Sequence, residues 1–333
     1  MSVRVVAPCR LHFGLFHVPV DGLTHYPDGR PVRKFGGLGM MIDNPCVTVT
    51  ATEAEGDVEN GSLAERAGTF RKHIREVLRQ YAPGRQLAIT ADGPTEHTGL
   101  GVGTALGLCV SAVTFGGMAQ SLRPTRPDGI KYEFFVNVVG RGKRSGIGVE
   151  GFRAGGFIAD GGKASEDGLP PSQRQDFPLT WRIVLVRPPT PPKWYGDRER
   201  TAFARGRSAE TALTLTDRLI ALAHGTIVPA VRNADFGTFA QSIFDFNRLA
   251  GEPFHDDQGG PYAGAEVACV IDELIEMGAV GVGQSSWGPT VFAFCQDADE
   301  AERLAGRARA RFSSATEVTV TAANNTGARL ETV

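Results

Sequence analysis

The chain lacks any uninterrupted apolar run of about 18 residues, the length a bilayer-crossing helix needs. Its first residues, MSVRVVAPCRLHFGLF, lack the separate charged, apolar and cleavage regions of an export signal. It lacks an excess of either charge, since 35 Lys and Arg against 37 Asp and Glu leave a formal net charge of −2. A nucleic acid or an anionic membrane therefore has no basic footprint to bind, and neither is expected as a partner. Lysine is scarce, at positions 34, 72, 131, 143, 163 and 193 only, a skew that points to genome composition rather than chemistry. The five cysteines, Cys9, Cys46, Cys109, Cys269 and Cys295, are odd in number, far apart and set in apolar strings. That pattern argues against a disulfide framework or a zinc site and predicts reduced core thiols in a cytoplasmic protein.

What is present suits a soluble protein of about two domains, with 333 residues of which 41% are hydrophobic. Short β-rich runs at 3–9, 11–18, 38–43 and 46–52 predict an N-terminal sheet. Leu63, Ala67, Phe70, Ile74, Val77 and Tyr81 recur at helical spacing, and 86–90 returns to strand. A second helix is expected to begin near Thr104. The stretch 124–168 is rich in glycine, 181–187 reads as a strand, and PPTPPKWYGDRE (188–199) reads as a stiff exposed loop. From 208 onward three amphipathic helices precede a strand, loop and strand over 279–295, a charged helix over 298–311 and a last strand, EVTVTA. Strands and helices without a regular βαβ beat predict an α+β chain of two lobes, 1–175 and 176–333.

TGLGVGTALG (98–107) places Gly99, Gly101 and Gly103 before an apolar run. A helix N-terminus presents unpaired amides, and glycines let the backbone approach an anion, so the loop either cradles phosphate or is simply a tight turn. It lacks the Lys-Ser/Thr pair of a P-loop and does not match the dinucleotide fingerprint. GRGKRSGIG (140–148) adds Arg141, Lys143 and Arg144, and GQSSWGPT (283–290) adds two hydroxyls and an indole. Each alone reads as a surface loop; together they are the elements from which a phosphate pocket is assembled.

These segments resemble the small-molecule kinase superfamily of galactokinase, homoserine kinase, mevalonate kinase and phosphomevalonate kinase (GHMP). APCRLHFGL (7–15) is similar to its first motif, 98–107 to its glycine-rich second and VGVGQSSWGPTVFAF (280–294) to its third. The resemblance implies a two-lobe GHMP-kinase-like α+β fold, with mixed β-sheets packed by helices and a phosphate loop at the second motif. Two departures stand out. The loop reads Gly-Val-Gly-Thr where the kinases commonly have paired serines, so Thr104 supplies the nearby hydroxyl. Ser145-Gly146 and Gly155-Gly156 keep the kinases' spacing, but their catalytic aspartate is replaced by Gly148. Glycine can neither orient nor deprotonate an alcohol, which argues against ordinary phosphoryl transfer.

The chain more closely resembles one subgroup, the β-ribofuranosylaminobenzene 5'-phosphate synthases of tetrahydromethanopterin biosynthesis. The resemblance rests on CRLHFGL, GRGKRSGIGVEGFRAGGFIADGG (140–162), RPPTPPKWYGDRERTAF and GQSSWGPTVFAF. It implies a magnesium-dependent enzyme that joins phosphoribosyl pyrophosphate to 4-hydroxybenzoate or 4-aminobenzoate with loss of pyrophosphate and CO2. Lys163 stands where that family has a histidine after the final Gly-Gly. The amides from Gly101 to Thr104 are expected to take the diphosphate with Mg2+, and Arg10, Arg141, Lys143 and Arg144 the remaining anionic groups, although such arginines also serve as solvated surface charge. Thr104 and Asp160 are the candidate metal ligands. Asp160 faces the sugar or the metal, or else completes a Gly-Gly turn; His12 contacts substrate or is a hydrogen-bonded structural histidine. Arg10, His12 and Asp160 form the expected catalytic set. His97, Ser145, Ser285, Ser286 and Trp287 are expected near substrate, while Trp194 and Tyr195 cover an aromatic acid or form an exposed lid. An ATP-dependent kinase and a non-catalytic binding protein that kept the fold are the rival readings, and a homodimer is compatible with the sequence.

Overall fold

The computed structural model describes residues 2–16, 24–26, 28–77, 86–114, 132–165, 168–204 and 209–332. Two long strands open the chain, β1 (Ser2–Leu15) and β2 (Gly37–Glu53), paired antiparallel along almost their whole length. Each was expected as two short strands. The register slips between Pro8 and Cys9, where Pro8 faces Cys46, next to Pro45. A proline at a bulge removes a ladder bond that is missing anyway, so the strands bend there instead of ending.

β3 (Val58–Asn60), α1 (Ala64–Val77), β4 (Leu87–Asp92) and α2 (Val102–Thr114) follow. The predicted extension of α1 to residue 81 lies outside the described residues, and α2 begins at Val102, two residues before expectation. In the glycine-rich region, where no element was assigned, the chain forms α3 (Tyr132–Val138), α4 (Ile147–Ala154) and β5 (Phe157–Asp160). Glycine is tolerated in α4 because the helix packs tightly: a side chain at Gly151 would collide with the Met41 sulfur. β6 (Ser172–Gln175) completes this part. The first sheet runs β11-β1-β2-β4-β3, with β5 on β2 and β6 on β5; its pairs are antiparallel except β3 with β4.

The second sheet is antiparallel, in the order β10-β7-β9-β8, from β7 (Arg182–Arg187), β8 (Val280–Gln284), β9 (Val291–Cys295) and β10 (Glu317–Thr321). The proline segment is irregular to Gly196 and then, contrary to expectation, becomes α5 (Asp197–Ala204). α6 (Ala209–Leu222), a π turn, α7 (Val228–Arg232), α8 (Phe236–Gly251), α9 (His255–Gln258), α10 (Ala265–Glu276) and α11 (Ala298–Arg311) supply the helical layer. An unforeseen strand, β11 (Arg329–Thr332), returns to pair with β1.

One apolar core crosses between the sheets, with Phe13 5.1 Å from Phe292 and Phe239 4.8 Å from Phe294 between ring centres. Mixed sheets packed by helices give the expected α+β architecture. Cys9, Cys109 and Cys295 are buried and all five thiols are free, but Cys269 is exposed, not a core thiol as expected. Among the described residues, no helix is long and apolar enough to cross a membrane.

Asn247 on α8 fastens the two sheets. Its amide donates to the Phe13 carbonyl at 2.6 Å and the Gln284 carbonyl at 2.9 Å, and accepts from the Gln284 N–H at 2.9 Å. All of this is buried, so Asn247→Leu strands three backbone groups. The substitution is expected to cost at least about 2 kcal/mol, read as a lowered denaturation midpoint.

Candidate functional site

The three motifs meet through one serine. Ser285 Oγ donates to the Gly99 carbonyl at 2.7 Å and accepts from the His12 N–H at 3.0 Å, while the Ser286 N–H donates to the His12 carbonyl at 2.8 Å. Ser285 is fully buried, so it ties the site together rather than lining it. The Arg10 N–H bonds the Leu100 carbonyl at 3.0 Å, which fixes the end of the glycine loop to β1.

Beside this junction lies a cleft of about 240 Å³. One wall is cationic: Arg10, Arg141, Lys143 and Arg144, with Thr104 and Ser145. Gly101 has a φ of +70°, and a side chain there would sit 2.6 Å from Arg10 Cγ, so the loop needs glycine for Arg10 to lie across it. The Thr104 N–H is bonded to the Gly101 carbonyl at 3.0 Å, so Val102 and Gly103, not Thr104, are the amides that open α2. Gly103 would place a side chain 3.0 Å from the Arg141 guanidinium, which therefore lies near the positive end of that helix.

The Nε atoms of Arg10 and Arg141 are buried with no hydrogen-bond partner. Burial first, then the neighbouring Arg144, pull Arg10 down to about 10, against the opposing pull of Glu199. Burial and Arg66 lower Arg141 to about 10. Guanidiniums desolvated, crowded together and partly unpaired beside a helix N-terminus make a seat for a multiply charged anion.

An aromatic group completes the lining: Phe35, Phe203, Phe254 and Trp287, with Phe254 4.6 Å and Phe203 5.7 Å from Trp287 between ring centres and Arg144 lying 5.6 Å over the Phe203 ring. Trp194 stacks behind Trp287 at 5.5 Å and does not line the cleft. Tyr195 stacks on the exposed His97 at 4.4 Å, so that pair clasps the proline segment to the glycine loop outside the cleft.

His12 lines the cleft while Leu11 and Phe13 point to the core. Burial and then Arg10 hold its imidazole well below the ordinary histidine range. The Gly14 N–H donates to Nδ1 at 3.2 Å, which places the proton of the neutral ring on Nε2. His12 is thus a neutral donor rather than an imidazolium.

Asp160 is placed differently from its expected catalytic and metal-binding role. It is fully buried behind the cationic wall and accepts from the Gly146 N–H at 2.6 Å, the Gly162 N–H at 2.9 Å and Ser145 Oγ at 3.0 Å. Its carboxylate holds the loop that presents Arg144, and burial raises its pKa. Among the described residues, no three acidic, His or Cys side chains gather as a metal cage. Gly148 would aim a side chain at Thr104 Cγ2, 3.3 Å away, and at Arg10 Cδ, 3.5 Å away.

Sequence reasoning missed Glu199, the one carboxylate among the described cleft residues, together with Phe35, Phe203 and Phe254. The acidic first turn of α5 was the available signal, hidden by reading the segment as loop.

Residues 227–314 match the family GHMP kinases C terminal. The chain carries a GHMP kinase C-terminal domain. Its fold as a whole is that of the GHMP kinases: a homoserine kinase from Cytophaga hutchinsonii superposes with a TM-score of 0.64 at 13% identity, covering 99% of this chain and 97% of that one. The protein from Methanothermobacter thermautotrophicus named beta-ribofuranosylphenol 5'-phosphate synthase is 27% identical over 98% of both chains. One of the same name from Archaeoglobus fulgidus is 27% identical over 87% of each. Within this GHMP fold, the cationic wall joins the first motif and the glycine loop to the 140–145 loop.

Two expectations follow. Nitrogen NMR of His12 will show the neutral Nε2–H tautomer from pH 8 down through about 6; a midpoint at or above 6.5 would contradict the burial argument. Because the folded state resists this proton, stability is retained above the unfolded pKa and falls as pH drops below it. Gly101→Ala displaces Arg10 and will weaken calorimetric binding of inorganic pyrophosphate about tenfold or more.

Proposed function

We propose that the protein is a β-ribofuranosylphenol 5'-phosphate synthase type of enzyme, a phosphoribosyltransferase that couples sugar transfer to decarboxylation. Phosphoribosyl pyrophosphate is the donor and a para-substituted benzoate, 4-hydroxybenzoate or 4-aminobenzoate, is the acceptor. The observation that carries the reading is one cleft lined both by half-buried arginines whose Nε atoms are unmatched and by a cluster of aromatic rings. The names of the full-length relatives support it.

In this reaction the bond from ribose C1 to the diphosphate oxygen breaks, and its electron pair leaves with pyrophosphate. The ring carbon bearing the carboxylate bonds to C1, and the electron pair of the bond to CO2 returns to the ring. No alcohol has to be deprotonated, so a glycine at position 148 is no defect. Arg10 and Arg141 bind the diphosphate and stabilise the charge that grows on it as it leaves. His12 donates Nε2–H to an anionic or hydroxyl oxygen of the sugar phosphate. Phe203, Phe254 and Trp287 hold the benzoate ring against C1 and exclude water.

Magnesium belongs to this proposal as a companion of the diphosphate. Asp160 is occupied by its loop and Glu199 by Arg144 and Trp287, which leaves the Thr104 hydroxyl as the protein oxygen at the cationic wall for the ion. When bound, it supplies neutralisation of the leaving group. Kinase chemistry fits less well, because the side-chain position facing Arg10 and Thr104 carries no base.

Incubation with phosphoribosyl pyrophosphate, Mg2+ and each benzoate is expected to release CO2 and pyrophosphate one to one. Release of neither with either acceptor would sink the reading. ADP formation from ATP and a small alcohol, without CO2, would replace it with the kinase.

A further inference from the structure

Glu199, on the first turn of α5, lines the cleft. Its Oε1 lies 2.7 Å from Arg144 NH1, and its Oε2 accepts from Arg144 NH2 at 2.9 Å, so the pair is forked. Oε1 also accepts the Trp287 indole N–H at 3.0 Å. One carboxylate therefore joins the cationic 140–145 loop to the aromatic lining of the cleft. It is only 19% exposed, whereas Arg144 is 48% exposed and open to an incoming anion. Arg144 belongs to the same field as the deeper cations, since it depresses both Arg10 and Arg141.

We infer that Glu199 is a positioning residue that couples the two subsites of the cleft, so that the aromatic acceptor binds after the phosphorylated sugar. The inference rests on the reading under Proposed function. Glu199 occupies the face of Arg144 that a substrate phosphate would take. A phosphate arriving there takes the same forked face of the guanidinium, and like charge drives the carboxylate away. The part-buried Trp287 N–H then loses its acceptor, and an unmatched donor there carries a cost. An oxygen of the benzoate satisfies it, with the ring against Phe254 and Phe203. The carboxylate thus closes the acceptor subsite until the sugar phosphate is seated.

α5 itself is anchored, with Ala202 and Phe203 packed against Phe254 and Trp287, so the movement belongs to the Glu199 side chain. Displacing that carboxylate changes the charged contact at Arg144 and the indole contact at Trp287 together.

The test is calorimetric titration of 4-hydroxybenzoate into the full-length protein, alone and with saturating inorganic pyrophosphate plus ribose 5-phosphate. Wild type is expected to bind the benzoate on the order of tenfold more tightly with the phosphates present, within the usual range for coupled sites. In Glu199→Gln, which keeps the shape but loses the charge, the ratio is expected to fall towards one while pyrophosphate still binds. Trp287→Phe should likewise lose the ratio, by removing the N–H. Equal benzoate affinity in wild type with and without the phosphates overturns the coupling and leaves the proposed reaction standing if CO2 is still released. Absence of pyrophosphate binding to wild type overturns both.

Discussion

The site depends on the buried hydroxyl of Ser285. It joins the Gly99 carbonyl to the His12 N–H, residues 186 and 273 positions away from it. Together with two backbone bonds, Arg10 N–H to Leu100 and Ser286 N–H to His12, it holds the first strand, the glycine loop and the turn bearing Ser286 and Trp287 in one frame. Arg10, His12 and Trp287 thereby line one cleft. Asn247 performs the matching task one layer deeper, where it fastens Phe13 to Gln284. Both are uncharged groups whose bonds are closed inside the protein, so they give rigidity without adding to the electrostatic field of the site.

That field is the second constraint. The clustered arginines repel one another, and three nearby carboxylates offset the repulsion, each engaged in its own way: Glu96 pairs with Arg66 and draws on Arg141. Asp160 is enclosed behind the wall and shapes the 140–146 loop. Glu199 stands in the cleft and pairs with the outermost arginine. The Nε atoms of Arg10 and Arg141 remain unmatched, which suits an anion seat better than a finished structural network. The glycine at 148 preserves that seat, because a carboxylate there would stand against Arg10 and fill it.

Much of the scaffold was legible because it is local. The charged helix over 298–311 coincides with α11, and the strand predicted at 181–187 lies one residue from β7. The errors have specific physical causes. Bulges kept β1 and β2 continuous where prolines suggested breaks. Close packing allowed a helix, α4, through a run of glycines whose intrinsic preference opposes it. β11 is too short to announce itself, and only the exposed edge of β1 calls it into the sheet.

The sequence by itself determined the longer periodic elements, the anion-friendly loops and the likeness of three motifs to one fold, since these rest on periodicity, backbone freedom and residues close in the chain. Only the tertiary structure decided which side chains meet. It turned Asp160 into a loop anchor, Ser285 into a clasp and Trp194 into a backing ring. It also brought Glu199 and Phe203, from the end of the proline segment, and Phe254, from a stretch that carried no motif, into the cleft. The reason is that charge pairing and ring packing act over a few ångströms of space, across separations such as the 55 residues between Arg144 and Glu199 that no local pattern records.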